Sequence, residues 1–326
     1  GDEPVHEHPF SYTTRRYTTP KIPVTSTLML HNRVSQSGFT VSDLTLGTFE
    51  WGSRVDQETA FELMSAYVDA GGTLLELSAC TSSAHALVGS MKVPSTLRVA
   101  ARVGIESIGG ELRISNSRAV ITEQVARLRQ TLGRDCVDLV IVDAFDPHTP
   151  LTETALTLRD LQARGEIGYV AVAHHTAWQV ALIRAEVDVV CAFTELSLVN
   201  RSAEDDIVPA CDYMGMGVIA GAALGRGVLT GRYATGTPAD SRAAHDPRQY
   251  VGAYLGPDYE PILKGVSKAA EALGVRPVDI ALAWNRGLGV SSSIVAPRTV
   301  RQLTELLESD LVLEPEIRDA LSQISS

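Results

Sequence analysis

The sequence predicts an α/β protein and, within that class, a closed (β/α)8 TIM barrel. Short apolar segments of strand length alternate with helix-length segments in which apolar residues recur every three to four positions. The apolar segments carry few polar residues on either face, which is typical of parallel strands covered by helices. Eight such units follow one another in the chain, and that number favours closure into a barrel.

A short hairpin and an extended arm are expected to precede the barrel. Two strand-like pieces between Thr27 and Val41 flank the turn-forming residues 35–38, whose sequence is Ser-Gln-Ser-Gly. Residues 1–24 are polar and contain several threonines and prolines, which favours an extended N-terminal arm. Residues 25–326 are then expected to form a single barrel domain.

The alternation of strands and helices defines the barrel units. The strand candidates are residues 44–46, 74–77, 97–101, 137–142, 169–173, 189–194, 217–220 and 293–296. The clearest helix candidates are residues 57–70, 121–131, 152–163, 177–185 and 261–273. Residues 221–260 interrupt the rhythm after the seventh strand. Loops of that length are usually lids or binding loops, so this segment is predicted to be functional.

Charge and composition argue against several classes of function. The chain has 28 basic and 39 acidic residues and a net charge of -11, and it lacks the basic run that nucleic acids or anionic membranes attract. It contains no apolar stretch of transmembrane length and no apolar leader, so neither a membrane span nor a signal peptide is expected. The four cysteines form no Cys-x-x-Cys pair, which favours a reducing, cytoplasmic setting.

Charged side chains follow several predicted strands, at the end of the barrel where TIM-barrel sites lie. Glu76, Arg102 and Asp143 follow the second, third and fourth strands, and His174 and His175 follow the fifth. Desolvating such groups is costly, so their gathering requires partners or a ligand. Two interpretations stay open, namely a salt-bridge network that closes the barrel and a site that handles a ligand.

Several segments, taken in order, resemble the aldo-keto reductase superfamily. The resemblance is closest to its branch of NADP-dependent reductases and potassium-channel β-subunits, and it runs from residue 27 to residue 308. The segments are VSDLTLGTFEWG at 41–52, RDCVDL at 134–139, GEIGY at 165–169, ALGRGVLTGRY at 223–233 and residues 294–306. The resemblance implies a (β/α)8 barrel, which agrees with the alternation of strands and helices, and it implies reduction of carbonyl groups with NADPH.

The resemblance also implies that the catalytic tetrad is substituted. The family uses Asp, Tyr, Lys and His, and these positions fall at Glu76, Thr81, Arg102 and Asp143. A threonine hydroxyl cannot replace a phenol as an acid near neutral pH, and arginine does not release its proton. The pair Glu76 and Arg102 would keep the charge pattern of the family's Asp–Lys pair.

The cofactor positions implied by the resemblance are kept at the adenosine end and altered at the nicotinamide end. The family's Ser-Asn pair, which grips the carboxamide, falls at Ala173-His174, and its stacking aromatic falls at Gly221. Binding of NADP(H) therefore stays open. The kept positions, in the diphosphate loop and the phosphate region, are Leu224, Gly225, Arg226, Gly227, Arg298 and Gln302.

The preferred hypothesis is non-redox acid/base chemistry on a small oxygenated metabolite, as in elimination, isomerisation or cyclisation. Asp143 would be the base and His174 the acid or orienting group, with Glu76 and Arg102 as scaffold and anion clamp. One alternative is a catalytically silent pseudoenzyme or regulatory subunit. The other is an NADPH-dependent carbonyl reductase with a rebuilt site.

The remaining expectations concern the pocket, metals and partners. Trp51, Cys80, Phe145 and His175 are expected to wall a substrate pocket. No metal is expected, although two carboxylates and a histidine would make a chemically reasonable ligand set. The expected partner is a small-molecule substrate rather than a nucleic acid or a membrane, and a homo-oligomer stays possible.

Overall fold

Eight parallel strands close into a barrel, as the sequence predicts. The structure, a computed structural model, describes residues 29–78, 82–109, 111–233, 236–239, 241–245 and 250–325. The predicted arm at residues 1–24 lies outside the described residues. The strands in chain order are β1 (His31–Arg33), β2 (Thr40–Ser42), β3 (Leu44–Gly47), β4 (Leu74–Leu77), β5 (Arg98–Val103), β6 (Ile105–Ile108), β7 (Glu111–Ile114), β8 (Val137–Val142), β9 (Ile167–Ala173), β10 (Val189–Glu195), β11 (Gly217–Gly221) and β12 (Ser292–Val295). The barrel runs β3-β4-β5-β8-β9-β10-β11-β12 and closes on itself.

Helices cover the outside of this barrel. Among the described residues they are α1 (Gln57–Asp69), α2 (Ser82–Ser90), α3 (Arg118–Leu132), α4 (Leu151–Ala163), α5 (Ala177–Arg184), α6 (Ile207–Met214), α7 (Glu260–Leu273), α8 (Pro277–Gly287), α9 (Val300–Leu307) and α10 (Pro315–Ile324). Within the described part of the chain, no helix is long and apolar enough to cross a membrane.

Local sequence signals fix where several helices begin and end. The Asp56 carboxylate caps α1 by accepting a hydrogen bond from the backbone N–H of Thr59 at 2.8 Å. Helix α3 ends at Gly133, whose φ of 62° lies in the left-handed region that glycine adopts at low cost. The Asp56 cap fixes the loop between β3 and α1, at the end of the barrel where the strands finish, and the Gly133 cap fixes the loop between α3 and β8, at the opposite end.

The predicted hairpin is confirmed, and it closes the lower end of the barrel. Strands β1 and β2 pair antiparallel, with Asn32 opposite Val41. Val34, Phe39 and Val41 pack in one apolar cluster with barrel-interior residues such as Ile141 and Phe193. The hairpin thus packs against the barrel interior from below, opposite the end where the strands finish.

A second hairpin, formed by β6 and β7, follows the third barrel strand and was not predicted. The two strands pair antiparallel, from Ile105 opposite Ile114 to Ile108 opposite Glu111. Its side chains are largely exposed, including the apolar Ile108 and Leu112. The sequence lacks a buried apolar face here, so the periodicity that identifies barrel strands gives no signal.

The predicted functional loop lies across the mouth of the barrel. Its described parts, residues 221–233, 236–239, 241–245 and 250–259, contain only short 3-10 turns after β11. Below, this segment is called the lid loop. The side chains it directs towards the barrel mouth complete the site.

Candidate active site

A large cavity opens at the carboxyl ends of the barrel strands. Its volume is 780 Å³, and it extends from the barrel axis to helix α9. That volume lies within the range of small-molecule and cofactor sites. The polar lining residues are Glu76, Ser78, Arg102, Asp143, His174, Arg226, Thr230, Arg232, Tyr233, Arg242, Tyr250, Arg276, Arg298, Arg301, Gln302 and Glu305. Two parts of the cavity differ in chemistry and are described in turn.

The first part lies at the barrel axis and is called the inner mouth, comprising Glu76, Ser78, Arg102, Asp143 and His174. Arg102 stands between two carboxylates. Its Nε donates to Glu76 Oε1 at 2.8 Å, and its Nη1 donates to Asp143 Oδ1. The Arg102 side chain is 14% exposed, and both carboxylates are more than nine-tenths buried. Burial disfavours the charge of Arg102, but the two carboxylates outweigh burial and raise its pKa.

Strand register explains this ion cluster. Glu76 lies opposite Gly47 on one side and Ala100 on the other, so its side chain shares a layer of the barrel with residues of β5. Arg102 lies opposite Ile141 on β8, directly before the loop that holds Asp143. Below the cluster, the ring of Phe193 lies 5.8 Å from the Arg102 guanidinium carbon. Glu76 and Asp143 therefore flank Arg102 from the two neighbouring strands.

His174 is the titratable group of the inner mouth that reaches solvent. Its side chain is 65% exposed, and its Nε2 lies 4.0 Å from Asp143 Oδ1. Partial loss of water and the charge of Arg102 lower its pKa below the usual 6.5, against the opposing effect of Asp143. Because its pKa is lowered, the neutral imidazole of His174 predominates at pH 7. The backbone of His174 has a φ of 53°, a left-handed conformation that is uncommon outside glycine.

Three side-chain oxygen atoms of the inner mouth have no hydrogen-bond partner among the described residues. Glu76 and Asp143 each use one oxygen to hold Arg102, which leaves Glu76 Oε2 and Asp143 Oδ2. The third is the Ser78 hydroxyl, because the contact of Ser78 with Thr48 runs through its backbone N–H. Ser78 is 9% exposed and lines the cavity.

The second part of the cavity is called the outer basic end, comprising Arg232, Arg242, Arg298 and Gln302. The Arg298 guanidinium has no hydrogen-bond or ion-pair partner among the described residues, whereas its backbone N–H donates to Gln302 Oε1 at 2.8 Å. Burial and the neighbouring arginines 54, 232 and 242 lower the pKa of Arg298, although Glu50 opposes them. An unpaired cation among like charges is a ready partner for an anionic group.

Arg226 ties the lid loop to the end of β10. Its guanidinium donates to both oxygens of Glu195, at 3.1 and 2.7 Å, and to the carbonyl of Tyr250 at 2.7 Å. The rings of Tyr250 and Tyr254 lie 4.1 and 4.7 Å from it, and the Tyr254 hydroxyl also donates to Glu195. Burial opposes the charge of Arg226, but Glu195 raises its pKa overall. Arg226 is thus already satisfied within the protein.

A second contact holds the other side of the lid loop. Arg242 donates to Glu50 at 3.0 Å and lies 4.9 Å from the ring of Phe49. Phe49 in turn stacks on Tyr250, with ring centroids 5.7 Å apart. The lid loop is therefore anchored to the loop after β3 and to the end of β10, on two sides of the cavity.

The structure brings together part of the predicted site. The cavity is lined by Glu76, Arg102, Asp143, His174, Leu224, Arg226, Gly227, Arg298 and Gln302. Gly225 is buried in the same loop beneath this lining. Thr81 and Cys80 lie outside the described residues. The expected pocket residues Trp51, Phe145 and His175 are placed away from the cavity lining.

Each of these three pocket candidates packs elsewhere. Trp51 is fully buried in the apolar core beside α1 and α2. His175 is buried, its Nδ1 lies 2.6 Å from the carbonyl of Ala173, and burial lowers its pKa. Phe145 packs edge-on against His175 and Trp178.

Sequence reasoning missed the aromatic and basic side chains of the lid loop. Tyr250, Tyr254 and Arg242 hold this loop over the cavity, with Phe49 and Glu195 as their partners. The only available signal was the length of the segment, which indicates a binding loop without indicating which side chains point inward. Among the described residues, no group of three or more potential metal ligands is close enough to hold a metal ion.

Comparison with known proteins identifies the family. The model of the aldo/keto reductase family matches residues 43–324, so the chain belongs to this family. A Bacillus subtilis protein described as the uncharacterized oxidoreductase YrpG is 24% identical over 319 residues, which cover 91% of this chain and 96% of that protein. The structure of a glycerol dehydrogenase from Gluconobacter oxydans has the same fold, with a TM-score of 0.79, 22% identity, and coverage of 90% of this chain and 94% of that one.

Proposed function

We propose that this member of the aldo/keto reductase family is an enzyme that moves protons on a small oxygenated substrate. The supporting observation is the arrangement of the inner mouth. Arg102 is held by two carboxylates, and the group free to exchange a proton near neutral pH is His174. Proton abstraction next to a carbonyl is the common first step of isomerisation and of many eliminations.

His174 is the base in this proposal. Its lowered pKa leaves it neutral at pH 7, and its exposed position gives a substrate access to Nε2. The Asp143 carboxylate at 4.0 Å stabilises the imidazolium that forms when His174 takes a proton. This geometry moves the role of base from Asp143 to His174, because Asp143 is already bound by Arg102.

Arg102 and Glu76 have a positioning role and do not exchange protons with the substrate. Arg102 fixes Asp143 beneath His174, and Glu76 fixes Arg102. An anion clamp is disfavoured, because the charge of Arg102 is already neutralised. A reductase would need an acid to protonate the reduced oxygen, and the inner mouth holds no phenol, since Tyr233 and Tyr250 line the cavity from the lid loop. Proton abstraction needs a base, and His174 beside Asp143 can supply it.

Solvent exchange of substrate protons tests this proposal without knowledge of the product. Small hydroxyketones and hydroxyaldehydes are incubated with the protein in D2O, and loss of the C–H signal next to the carbonyl is followed by NMR. His174→Ala should reduce exchange by about 100-fold or more. Tyr213→Phe, a change on a side chain that is 92% exposed, is the matched control and should exchange as the parent does. Equal exchange in His174→Ala, or carbonyl-dependent consumption of NADPH without exchange, would contradict the proposal.

A second function, binding of a nucleotide phosphate, is supported by the outer basic end. The unpaired Arg298 and the adjacent Gln302 fit a phosphate monoester such as the adenosine 2′-phosphate of NADP(H). The inner end fits the nicotinamide less well, because the resemblance assigns His174 to the position with which the family grips the carboxamide. We therefore derive no chemical step through that group.

Ligands that lack nicotinamide separate these two ends. At about 100 times its dissociation constant, a ligand adds about 2.7 kcal/mol to the free energy of unfolding, which thermal unfolding detects. We expect a rise in Tm with 2′-phospho-ADP-ribose, a smaller rise with ADP-ribose, and loss of the difference in Arg298→Met. Equal shifts with the two ligands in the parent protein would exclude a phosphate site at Arg298.

A further inference from the structure

The inner mouth holds more negative charge than positive. Glu76 and Asp143, with side chains 6% and 4% exposed, share the single cation Arg102. His174 adds no charge at neutral pH. The next cation around the mouth, Arg226, is matched by Glu195. The inner mouth therefore retains one net negative charge in a setting where unbalanced charge is costly.

Unused hydrogen-bond acceptors coincide with this charge. Glu76 Oε2 and Asp143 Oδ2 have no partner among the described residues, and both residues line the cavity. Ser78 is an independent observation of the same kind, since the residue is nine-tenths buried and lines the cavity, and its hydroxyl is unpartnered among the described residues. Because these residues line the cavity, their acceptors are available to a ligand that donates hydrogen bonds.

Three classes of ligand differ in how well they meet these conditions. A carboxylate would increase the negative charge and offer no donors. A neutral polyol would satisfy the acceptors and leave the charge unbalanced. A protonated primary amine supplies three N–H donors and one positive charge. Charge-assisted hydrogen bonds of this kind are about twice as strong as neutral ones.

We propose that the substrate carries a protonated primary amine, held in the inner mouth by Glu76, Asp143 and Ser78. This inference rests on the proton-transfer function proposed above and names its substrate class, an amino ketone or amino aldehyde. Metal ions are a poor alternative occupant, because no group of three potential metal ligands occurs among the described residues.

The amine also has a chemical role next to His174. His174 Nε2 takes the proton from the carbon between the ammonium and the carbonyl. The C–H bond breaks, an N–H bond forms on the imidazole, and the electron pair moves into the enolate. The ammonium charge opposes the field of the carboxylates, which would otherwise destabilise the enolate. Return of the proton from the imidazolium to carbon or oxygen completes the step without any oxidant or reductant.

A matched set of three-carbon ligands tests the substrate class by binding alone. Aminoacetone, hydroxyacetone and pyruvate share the methyl ketone and differ in a group that is cationic, neutral or anionic. Isothermal titration at pH 7 should show aminoacetone binding about tenfold or more tightly than hydroxyacetone, and pyruvate binding more weakly than both. Hydroxyacetone or pyruvate binding as tightly as aminoacetone would overturn the inference.

Two variants connect this preference to the named residues. Glu76→Gln removes the net charge with little change of shape and should abolish the preference for the amine, whereas Glu62→Gln, on the exposed face of α1, should keep it. Ser78→Ala, which leaves the ion cluster intact, should weaken aminoacetone severalfold while hydroxyacetone changes less. Far-ultraviolet circular dichroism establishes that each variant folds. An unchanged preference in folded Glu76→Gln and Ser78→Ala would overturn the inference.

Exchange in D2O with the same ligands separates this inference from the function on which it rests. Preferential binding of aminoacetone without C–H exchange would contradict the proton-transfer function and leave the amine site standing. Exchange that is faster with hydroxyacetone than with aminoacetone would support proton transfer and overturn the substrate class.

Discussion

Arg102 in the inner mouth and Arg298 in the outer basic end lie in one cavity but differ in whether a carboxylate binds them. In the inner mouth, Arg102 is held by Glu76 and Asp143 and cannot turn towards a ligand without leaving both. In the outer basic end, the guanidinium of Arg298 has no partner among the described residues and stands among other arginines. Arg102 therefore positions the two carboxylates that bind it, whereas the guanidinium of Arg298 is available to bind an anionic ligand.

This difference distinguishes charged residues that stabilise the site from charged residues that can bind a ligand. Belonging to the aldo/keto reductase family does not by itself decide which charged residues contact a ligand, because function depends on the site and not on the barrel. The predictions below test the comparison, beginning with the largest expected effect.

Replacing Arg102 in the inner mouth should lower the free energy of unfolding far more than replacing Arg298 in the outer basic end. Arg102→Met leaves two buried carboxylates without a counter-charge, and we expect a loss of about 3–5 kcal/mol in the free energy of unfolding. Arg298→Met, the matched change in the outer basic end, removes an unpaired cation among like charges. We expect it to alter stability by less than about 0.5 kcal/mol or to raise it. Urea unfolding measures both variants.

The comparison would fail if the two variants lost similar amounts of stability. A large loss in Arg298→Met would mean that Arg298 supports the fold rather than a ligand. A small loss in Arg102→Met would mean that the two carboxylates take up protons or rearrange readily when their cation is removed.

Stability should depend on pH through the histidines around the inner mouth. Burial lowers the pKa of His175 below 6.5, so below that pH the unfolded chain binds a proton that the folded chain does not. The free energy of unfolding should therefore decrease as the pH falls from 6.5 towards the lower folded pKa. His175→Asn should flatten this decrease, whereas Arg298→Met should leave it unchanged. Urea unfolding at a series of pH values gives the slopes, and an unchanged slope in His175→Asn would contradict the assignment.

The smallest expected effect is that of salt, which should weaken ligand binding at the outer basic end and leave the ion cluster of the inner mouth almost unchanged. Raising NaCl from about 0.1 M to about 1 M shortens the Debye length from about 10 Å to about 3 Å. Binding of 2′-phospho-ADP-ribose to the partly exposed outer basic end should weaken. The stability lost in Arg102→Met should change little, because that pair is buried. Comparable salt sensitivity of the two quantities would remove the distinction between the regions.

The barrel could be predicted from the sequence because its signals are local and repeated. Predicted strands at 74–77 and 137–142 match β4 and β8 in both bounds, since an apolar strand between two helices has a pattern that few other structures share. Helix α1 was predicted to end at residue 70 and ends at Asp69. The hairpin of β6 and β7 was not predicted, because exposed strands have no buried face to create a pattern.

The candidate site could be predicted only in part. Residues at strand ends converge because of the barrel geometry, so Glu76, Arg102, Asp143 and His174 could be grouped in advance. The pocket roles expected for Trp51, Phe145 and His175 are not supported by their placement, because side-chain direction depends on the course of each loop. The lid residues Tyr250 and Tyr254 carry no sequence signal of their own.

The sequence by itself determined the barrel, the end of the barrel at which the candidate site lies, and the charged residue types gathered there. These follow from periodicity and from the parallel direction of the strands, which each short segment encodes independently. Only the tertiary structure decided that Arg102 is shared by two carboxylates, that Arg226 is bound by Glu195, and that Arg298 lacks a partner among the described residues. Such pairings depend on distances between residues far apart in the chain, because charge compensation acts through space and leaves no local pattern.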